Sequence, residues 1–319
     1  RHGRIDIAGQ LYHVIARGNE RKAIFIKRGD CEDFITRFKT GLEKTGNKCL
    51  AWCLMPNHFH LLILRGEKPL AELMRRVMTG YAVGFNIRHR RAGHLFQNRY
   101  KAILCDEEEY LKELVAYIHL NPLRAKLVKD LCALERYPWC GHGALMGRQQ
   151  QDFLERDYIL GHFGDNSASY EAFIIDRQGK YQHGEYSGGG LKKSMGGLLN
   201  VLGMGKNRET CDDRILGHGD FVENIIKQAG EAPCIRKTRE EVLKEAAVLA
   251  GVSQEDILTP GHAHRASRGR AIYCYMAKAK AGVDGAVLCE QLGITRSGIS
   301  RLVEKGRRLL CKQEEKLVN

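Results

Sequence analysis

Apolar and polar positions alternate from Gln10 to Arg17 (Gln-Leu-Tyr-His-Val-Ile-Ala-Arg), which predicts a strand. After a Gly18-Asn19 turn, an amphipathic pattern predicts a helix over about 30–45. Cys49 to Leu54 and Phe59 to Leu64 read as two further strands, and Met55-Pro56-Asn57 between them is turn chemistry, so the pair predicts an antiparallel hairpin. Leu73, Val77, Tyr81 and Phe85 recur at steps of four within a helical pattern from Leu70 to about Arg91. After Gly93, Leu95 to Leu104 reads as another strand. Glu107, Glu108 and Glu109 then open a helix, because carboxylates are favoured at its positive end, and Pro122 is expected to stop it at Asn121.

Strands and helices in this order predict an α+β domain, with helices lying on an antiparallel sheet, over residues 1–135. Residues 136–235 carry glycine runs such as Gly188-Gly189-Gly190 and Gly196-Gly197. Little periodicity shows there until Phe221 to Ala229, so this stretch is expected to be a connector with short helices. From 236 to 319 the pattern turns helical over Arg239 to Ala250, Ser267 to Ala281, Ala286 to Leu292 and Thr295 to Leu310, which predicts a small separate helical module.

Composition narrows the class. A hydrophobic share of 43% with 28% charged residues is that of a globular protein of 319 residues, long enough for two domains. The longest apolar runs, such as Leu61 to Leu64, fall far short of the roughly 20 residues that cross a bilayer, and the first residues lack an apolar signal-peptide core. A soluble cytoplasmic protein, associated with the nucleoid and without a membrane partner, is the expectation. The 11 cysteines are odd in number, scattered from Cys31 to Cys311 and never spaced Cys-x-x-Cys, so they read as reduced thiols and not as a structural zinc site. Net charge is +13, and residues 1–130 hold 24 Lys and Arg against 14 Asp and Glu, a surplus that points to a phosphate-bearing partner.

The candidate chemistry sits in two places. His58 and His60 flank Phe59 on a predicted strand, so both imidazoles project from one face and can take one metal ion. An alternating His-x-His equally fills the polar side of a half-exposed strand. On the helix after Glu107, Tyr117 and Asn121 are four residues apart and share a face, which can bring a phenol and an oxygen ligand to one site. Tyr117 equally serves as core behind Leu114, and Asn121 as a cap before Pro122. Together, a phenol beside a two-imidazole metal site suits attack on a DNA phosphorus to form a covalent phosphotyrosine. Arg17, Arg88, Arg90, Arg91, Arg99, Lys101 and Arg124 flank this site in sequence, with Phe96 and Tyr100 interleaved, a mixture suited to phosphate contacts and base stacking.

Four segments carry a family resemblance. Gly9 to Asn19 (Gly-Gln-Leu-Tyr-His-Val-Ile-Ala-Arg-Gly-Asn), Leu54 to His60 (Leu-Met-Pro-Asn-His-Phe-His), Gly93 to Lys101 (Gly-His-Leu-Phe-Gln-Asn-Arg-Tyr-Lys) and Tyr117 to Ala125 (Tyr-Ile-His-Leu-Asn-Pro-Leu-Arg-Ala) resemble, in order and spacing, the REP-associated tyrosine transposases, single-tyrosine HUH enzymes. The resemblance is strong over about 1–130, and Arg214 to Glu223 is similar to a segment of longer members. It implies a ferredoxin-like fold, His58, His60 and Asn121 as ligands of Mg²⁺ or Mn²⁺, Tyr117 as nucleophile, and cleavage of single-stranded DNA beside hairpins. Tyr137 to His142 (Tyr-Pro-Trp-Cys-Gly-His) departs from the family, which usually has an aromatic followed by paired serines.

Leu288 to Arg301 resembles a helix-turn-helix with Gly293 at the turn, whose leading residues Arg296, Ser297, Ser300 and Arg301 would face a duplex major groove. The stretch from Arg239 to Leu258 also resembles the DNA-binding domain of the bacterial replication initiator DnaA, but that domain's Asp-His-Ser-Thr signature is absent from this sequence. The reading is a metal-dependent, DNA-cleaving and strand-transferring enzyme, monomer or dimer, tethered by a helical DNA-binding module. Its rivals are a domesticated, non-catalytic binder of hairpin and duplex DNA, and a replication or plasmid nickase, in which a third histidine usually stands where Asn121 does here.

Overall fold

The computed structural model describes residues 4–180, 212, 214–230, 238–259, 264–279, 281, 283 and 285–317. These fall into two units, one reaching to residue 230 and the other holding the described residues from 238 onward.

The first unit is built on β1 (Leu11–Arg17), α1 (Arg28–Thr45), β2 (Lys48–Met55), β3 (His58–Leu64), α2 (Leu70–Arg88) and β4 (Lys101–Cys105). The strands lie in the order β2-β3-β1-β4, each antiparallel to its neighbour, which is the ferredoxin-like arrangement. Alternation divides the sheet into two faces. Phe59 on β3 turns toward α1, where its ring centroid lies 4.8 Å from that of Phe34, and α2 closes the same side through Tyr81 against Phe34 at 5.3 Å. The opposite face carries the histidines and is covered by α3 (Glu107–His119).

Three boundaries differ from expectation. The strand expected from Leu95 begins only at Lys101, because residues 95–97 bend back onto the end of β1: Asn19 N–H donates to Leu95 O at 2.8 Å and Gln97 N–H to Arg17 O at 3.0 Å. The helix expected to reach Arg91 ends at Arg88, and Arg90 has a left-handed φ of 49°. Asn121 does not end α3; it opens a further turn, α4 (Asn121–Arg124), in which Pro122 sits where no helical N–H is needed.

The larger difference concerns the expected connector. After α5 (Leu131–Glu135), which closes the expected first domain, the connector's segments carry α6 (His142–Leu145), α7 (Arg156–Gly161), α8 (Ser167–Arg177), β5 (Ile215–Leu216) and α9 (Gly219–Gln228). They complete the sheet on both sides. On the β2 edge, Leu54 N–H donates to Trp139 O at 2.8 Å and Gly141 N–H to Trp52 O at 3.0 Å. On the other edge, β5 pairs parallel with β4, so the five-stranded sheet is mixed and not wholly antiparallel. Open sheet edges leave backbone groups unpaired, and these additions satisfy them. The glycine runs at 188–190 and 196–197 lie outside the described residues.

The second unit consists of α10 (Arg239–Ala250), α11 (Gln254–Leu258), α12 (His264–Ala279), α13 (Gly285–Leu292) and α14 (Arg296–Leu317). Thr238 with Glu241 and Ser253 with Asp256 form capping boxes that start α10 and α11. Val242, Ala246, Ile272, Met276, Leu288, Leu292 and Ile299 make its core. Gly306 lets α14 cross α12 at close range: a Cβ there would lie 2.0 Å from the carbonyl oxygen of Ala271. Among the described residues, no helix is long and apolar enough to cross a membrane.

Candidate active site

Strand register assembles the imidazole half of the site. His58 pairs with Arg17 and with Met55, while His60 pairs with Ile15 and Cys53. Ile15 in turn pairs with Lys101 on β4. Paired residues share a face, so His58, His60, Arg17 and Lys101 project from the same side of the sheet, with His13 one alternation further along β1. The rings of His58 and His60 lie 5.1 Å apart.

Each ring is held at Nδ1. His58 Nδ1 lies 2.7 Å from Asn57 Oδ1, and Asn57 is oriented by donating from Nδ2 to the Arg21 carbonyl at 2.9 Å. His60 Nδ1 lies 3.0 Å from Nε2 of His13. Burial holds His60 well below the usual imidazole range, helped by the neighbouring His13, His58, Arg124 and Arg17. A neutral imidazole is the form that binds a metal ion.

The phenol half comes from α3. Its buried side, with Leu111, Leu114, Val115 and Ile118, seats the helix against the sheet and brings Tyr117 over the histidines. The Tyr117 ring meets His60 edge-on at 6.0 Å and His13 at 6.1 Å, and it is only 2% exposed. The guanidinium of Arg124 lies 4.1 Å above the same ring and donates to Asn121 Oδ1 at 2.8 Å. Asn121 Nδ2 donates to the Tyr117 and Ile118 carbonyls at 3.0 and 3.2 Å. Asn121 is thus held beside Tyr117, with its amide oxygen engaged by a cation.

Chain anchors behind α3 keep this half in place. His119 is fully buried, and its Nδ1 lies 2.8 Å from the hydroxyl of Tyr170 on α8. The same hydroxyl lies 2.7 Å from Nδ1 of His142 on α6. Gly141 makes room for this network, since a Cβ there would lie 2.7 Å from His119 Nε2.

The donor set fits a divalent ion in two of its three expected members. His58 and His60 present rings from one face with Nδ1 engaged, the arrangement in which Nε2 serves a metal. Among the described residues, no three His, Cys, Asp or Glu converge as a metal cluster, and the expected third ligand, Asn121, would contribute an amide oxygen.

The cationic residues separate. Arg17 and Lys101 are exposed on the histidine face, and Arg99, also exposed, stands two residues before the start of β4. Arg88 lies in the helical layer of the opposite face, where it is committed to Asp30 at 3.1 Å and Asp33 at 2.8 Å. Arg91 rests 5.7 Å from the Phe85 ring, and Arg90 is exposed. In the second unit, Arg296, Ser297, Ser300 and Arg301 are all exposed on the first turns of α14, after a turn at Gly293 with φ of 63°. His13 and Asn57, not singled out from sequence, are the partners that hold the two imidazoles. The signal for Asn57 was adjacency, whereas that for His13 needed the strand register.

Fold and site define a ferredoxin-like domain with two imidazoles and a phenol facing one another across a single sheet face. Residues 7–121 match the model of the family described as "Transposase IS200 like", a stretch that begins just before β1 and ends on Asn121. The match spans the four motifs read as those of a tyrosine transposase, apart from the last residues of the fourth. A solved structure entitled "Structure of the REP associates tyrosine transposase bound to a REP hairpin" is similar at 15% identity and a TM-score of 0.39, covering 49% of this chain and 97% of that one. No curated protein matches.

Proposed function

We propose that the first unit is a metal-dependent endonuclease and strand transferase acting on single-stranded DNA at hairpins, with Tyr117 as nucleophile. The observation that carries this reading is the edge-on packing of Tyr117 against His60 on the face that also bears His58. His58 and His60 would hold Mg²⁺ or Mn²⁺ through Nε2, with Asn121 as the third ligand. A bound divalent ion supplies polarisation of the phosphoryl oxygen. Tyr117 Oη loses its proton to water and bonds to phosphorus; the P–O bond to one sugar oxygen breaks, and that oxygen leaves as a hydroxyl after protonation. Arg17 and Lys101 on the same face suit the flanking phosphates, and Arg124 suits the scissile one. A phosphate is a stronger acceptor for a guanidinium than a neutral amide oxygen, so substrate would draw Arg124 away from Asn121. Arg88, committed to two carboxylates, is left out of this interface. The second unit would bind duplex DNA through Arg296, Ser297, Ser300 and Arg301 and tether the enzyme near its target.

The burial of Tyr117 and the engagement of Asn121 favour a second reading, a binder of hairpin DNA that does not cut. A labelled single-stranded hairpin from the gene's flanks, incubated with Mn²⁺ and run on a denaturing gel, separates the two. A covalent protein–DNA adduct in the wild type that is absent in Tyr117→Phe supports the nuclease. Hairpin binding without adduct across metals and flanking sequences supports the binder.

A further inference from the structure

His13 is fully buried in the middle of β1, between Leu11 and Ile15 on the same face of the strand. Its ring stacks on that of His60, with centroids 5.2 Å apart and Nε2 3.0 Å from His60 Nδ1. One hydrogen occupies such an N···N contact, so one nitrogen donates and the other accepts. If His60 Nδ1 accepted, the proton of neutral His60 would sit on Nε2, and that nitrogen would have no lone pair for an ion. If His60 Nδ1 donates, the lone pair is on Nε2.

The neighbouring ligand shows which arrangement the site uses. Asn57 donates from Nδ2 to the Arg21 carbonyl, so it turns its oxygen to His58 Nδ1. An amide oxygen only accepts, which places the His58 proton on Nδ1. We infer that His13 does for His60 what Asn57 does for His58: its Nε2 accepts from His60 Nδ1, holding both the tautomer and the ring orientation that aim Nε2 at a divalent ion. His13 is therefore a positioning residue, and the inference rests on the metal-site reading above. Like His60, His13 also meets the Tyr117 ring edge-on, at 6.1 Å, so both imidazoles pack against the phenol.

The test has two arms on the full chain. In the metal-free protein, ¹⁵N imidazole spectra report the His60 tautomer, with its signals assigned by their loss in His60→Gln. The Nδ1-protonated form is expected in the wild type and in His13→Gln, whose amide oxygen can accept, and not in His13→Phe, which keeps the ring volume without an acceptor. Mn²⁺ titration should then show His13→Phe weakened by about 10- to 100-fold, the usual cost of losing such an outer partner, with His13→Gln restored toward wild type. An Nε2-protonated His60 in the wild type overturns the inference. So does His13→Phe keeping the wild-type tautomer and affinity, or equal losses in Phe and Gln. If Mn²⁺ binding by the wild type does not depend on His58, the metal reading fails, while the metal-free spectra still decide the role of His13.

Discussion

Acid should loosen the anchor of the tyrosine helix before it dissolves the sheet. His142 on α6 is held down to about 4 from an ordinary 6.5, because burial penalises its charged form. His119 shifts in the same direction, through burial and the facing His142. Its Nε2 is buried without a hydrogen-bond partner, so an added proton would have nothing to bond. Above pH 6.5 neither the folded nor the unfolded chain protonates His142, and stability does not depend on it. As pH falls below 6.5 the unfolded chain takes up a proton that the folded chain refuses, so stability declines until about pH 4, where the folded form protonates as well. The full shift corresponds to about 3 kcal/mol, and about 2 kcal/mol of it is lost already at pH 5.

His142→Asn tests this reasoning, because asparagine places an amide near the former Nδ1, within reach of the Tyr170 hydroxyl, and does not titrate. Both tryptophans of the chain, Trp52 and Trp139, lie in the first unit, so their fluorescence follows its unfolding in urea. The quantity to compare is the loss between pH 7 and pH 5 within each protein, which cancels any constant destabilisation by the substitution. The wild type should lose about 2 kcal/mol more than the variant. Equal losses in the two proteins would refute the assignment of the acid sensitivity to this network.

Two further outcomes follow from the second unit. Gly306→Ala pushes a methyl group against the Ala271 carbonyl and should destabilise that unit by about 1–3 kcal/mol; faster proteolysis after residue 238, with unchanged tryptophan fluorescence, would show it. Replacing Arg296 and Arg301 together by alanine should weaken duplex binding and reduce the dependence of log affinity on log salt by about 2 if both contact phosphates. An unaltered salt dependence in a binding titration removes α14 from the duplex interface.

What could be read from the sequence was what local spacing encodes. His58 and His60 at i and i+2 had to share a strand face, and Tyr117 and Asn121 at i and i+4 had to share a helix side. The succession of β1, α1, β2, β3, α2 and β4 was likewise visible in alternating and four-step patterns, whereas the ferredoxin-like arrangement of those elements was implied only by the family resemblance. Features set by distant pairing were not. The contact of His13 with His60 spans 47 residues and depends on the register of two strands. The commitment of Arg88 to Asp30 and Asp33 depends on how α1 and α2 pack, so its charge looked as available as that of Arg17. β5 is two residues long, too short to show a period.

The connector was misjudged for a related physical reason. Residues 139–155 pair with the β2 edge through single hydrogen bonds such as Gly141 to Trp52 and Glu155 to Cys49, which need no alternating stretch of their own. A strand that supplies the sheet's outer edge must have its backbone groups met by something, and in this chain that something follows the tyrosine helix. The same downstream segment contributes Tyr170 to hold His119, two residues beyond Tyr117. The position of the phenol over the imidazoles therefore depends on residues outside the matched stretch of 7–121, and a domain cut at its end would keep every proposed site residue of the first unit except Arg124 while losing what seats α3.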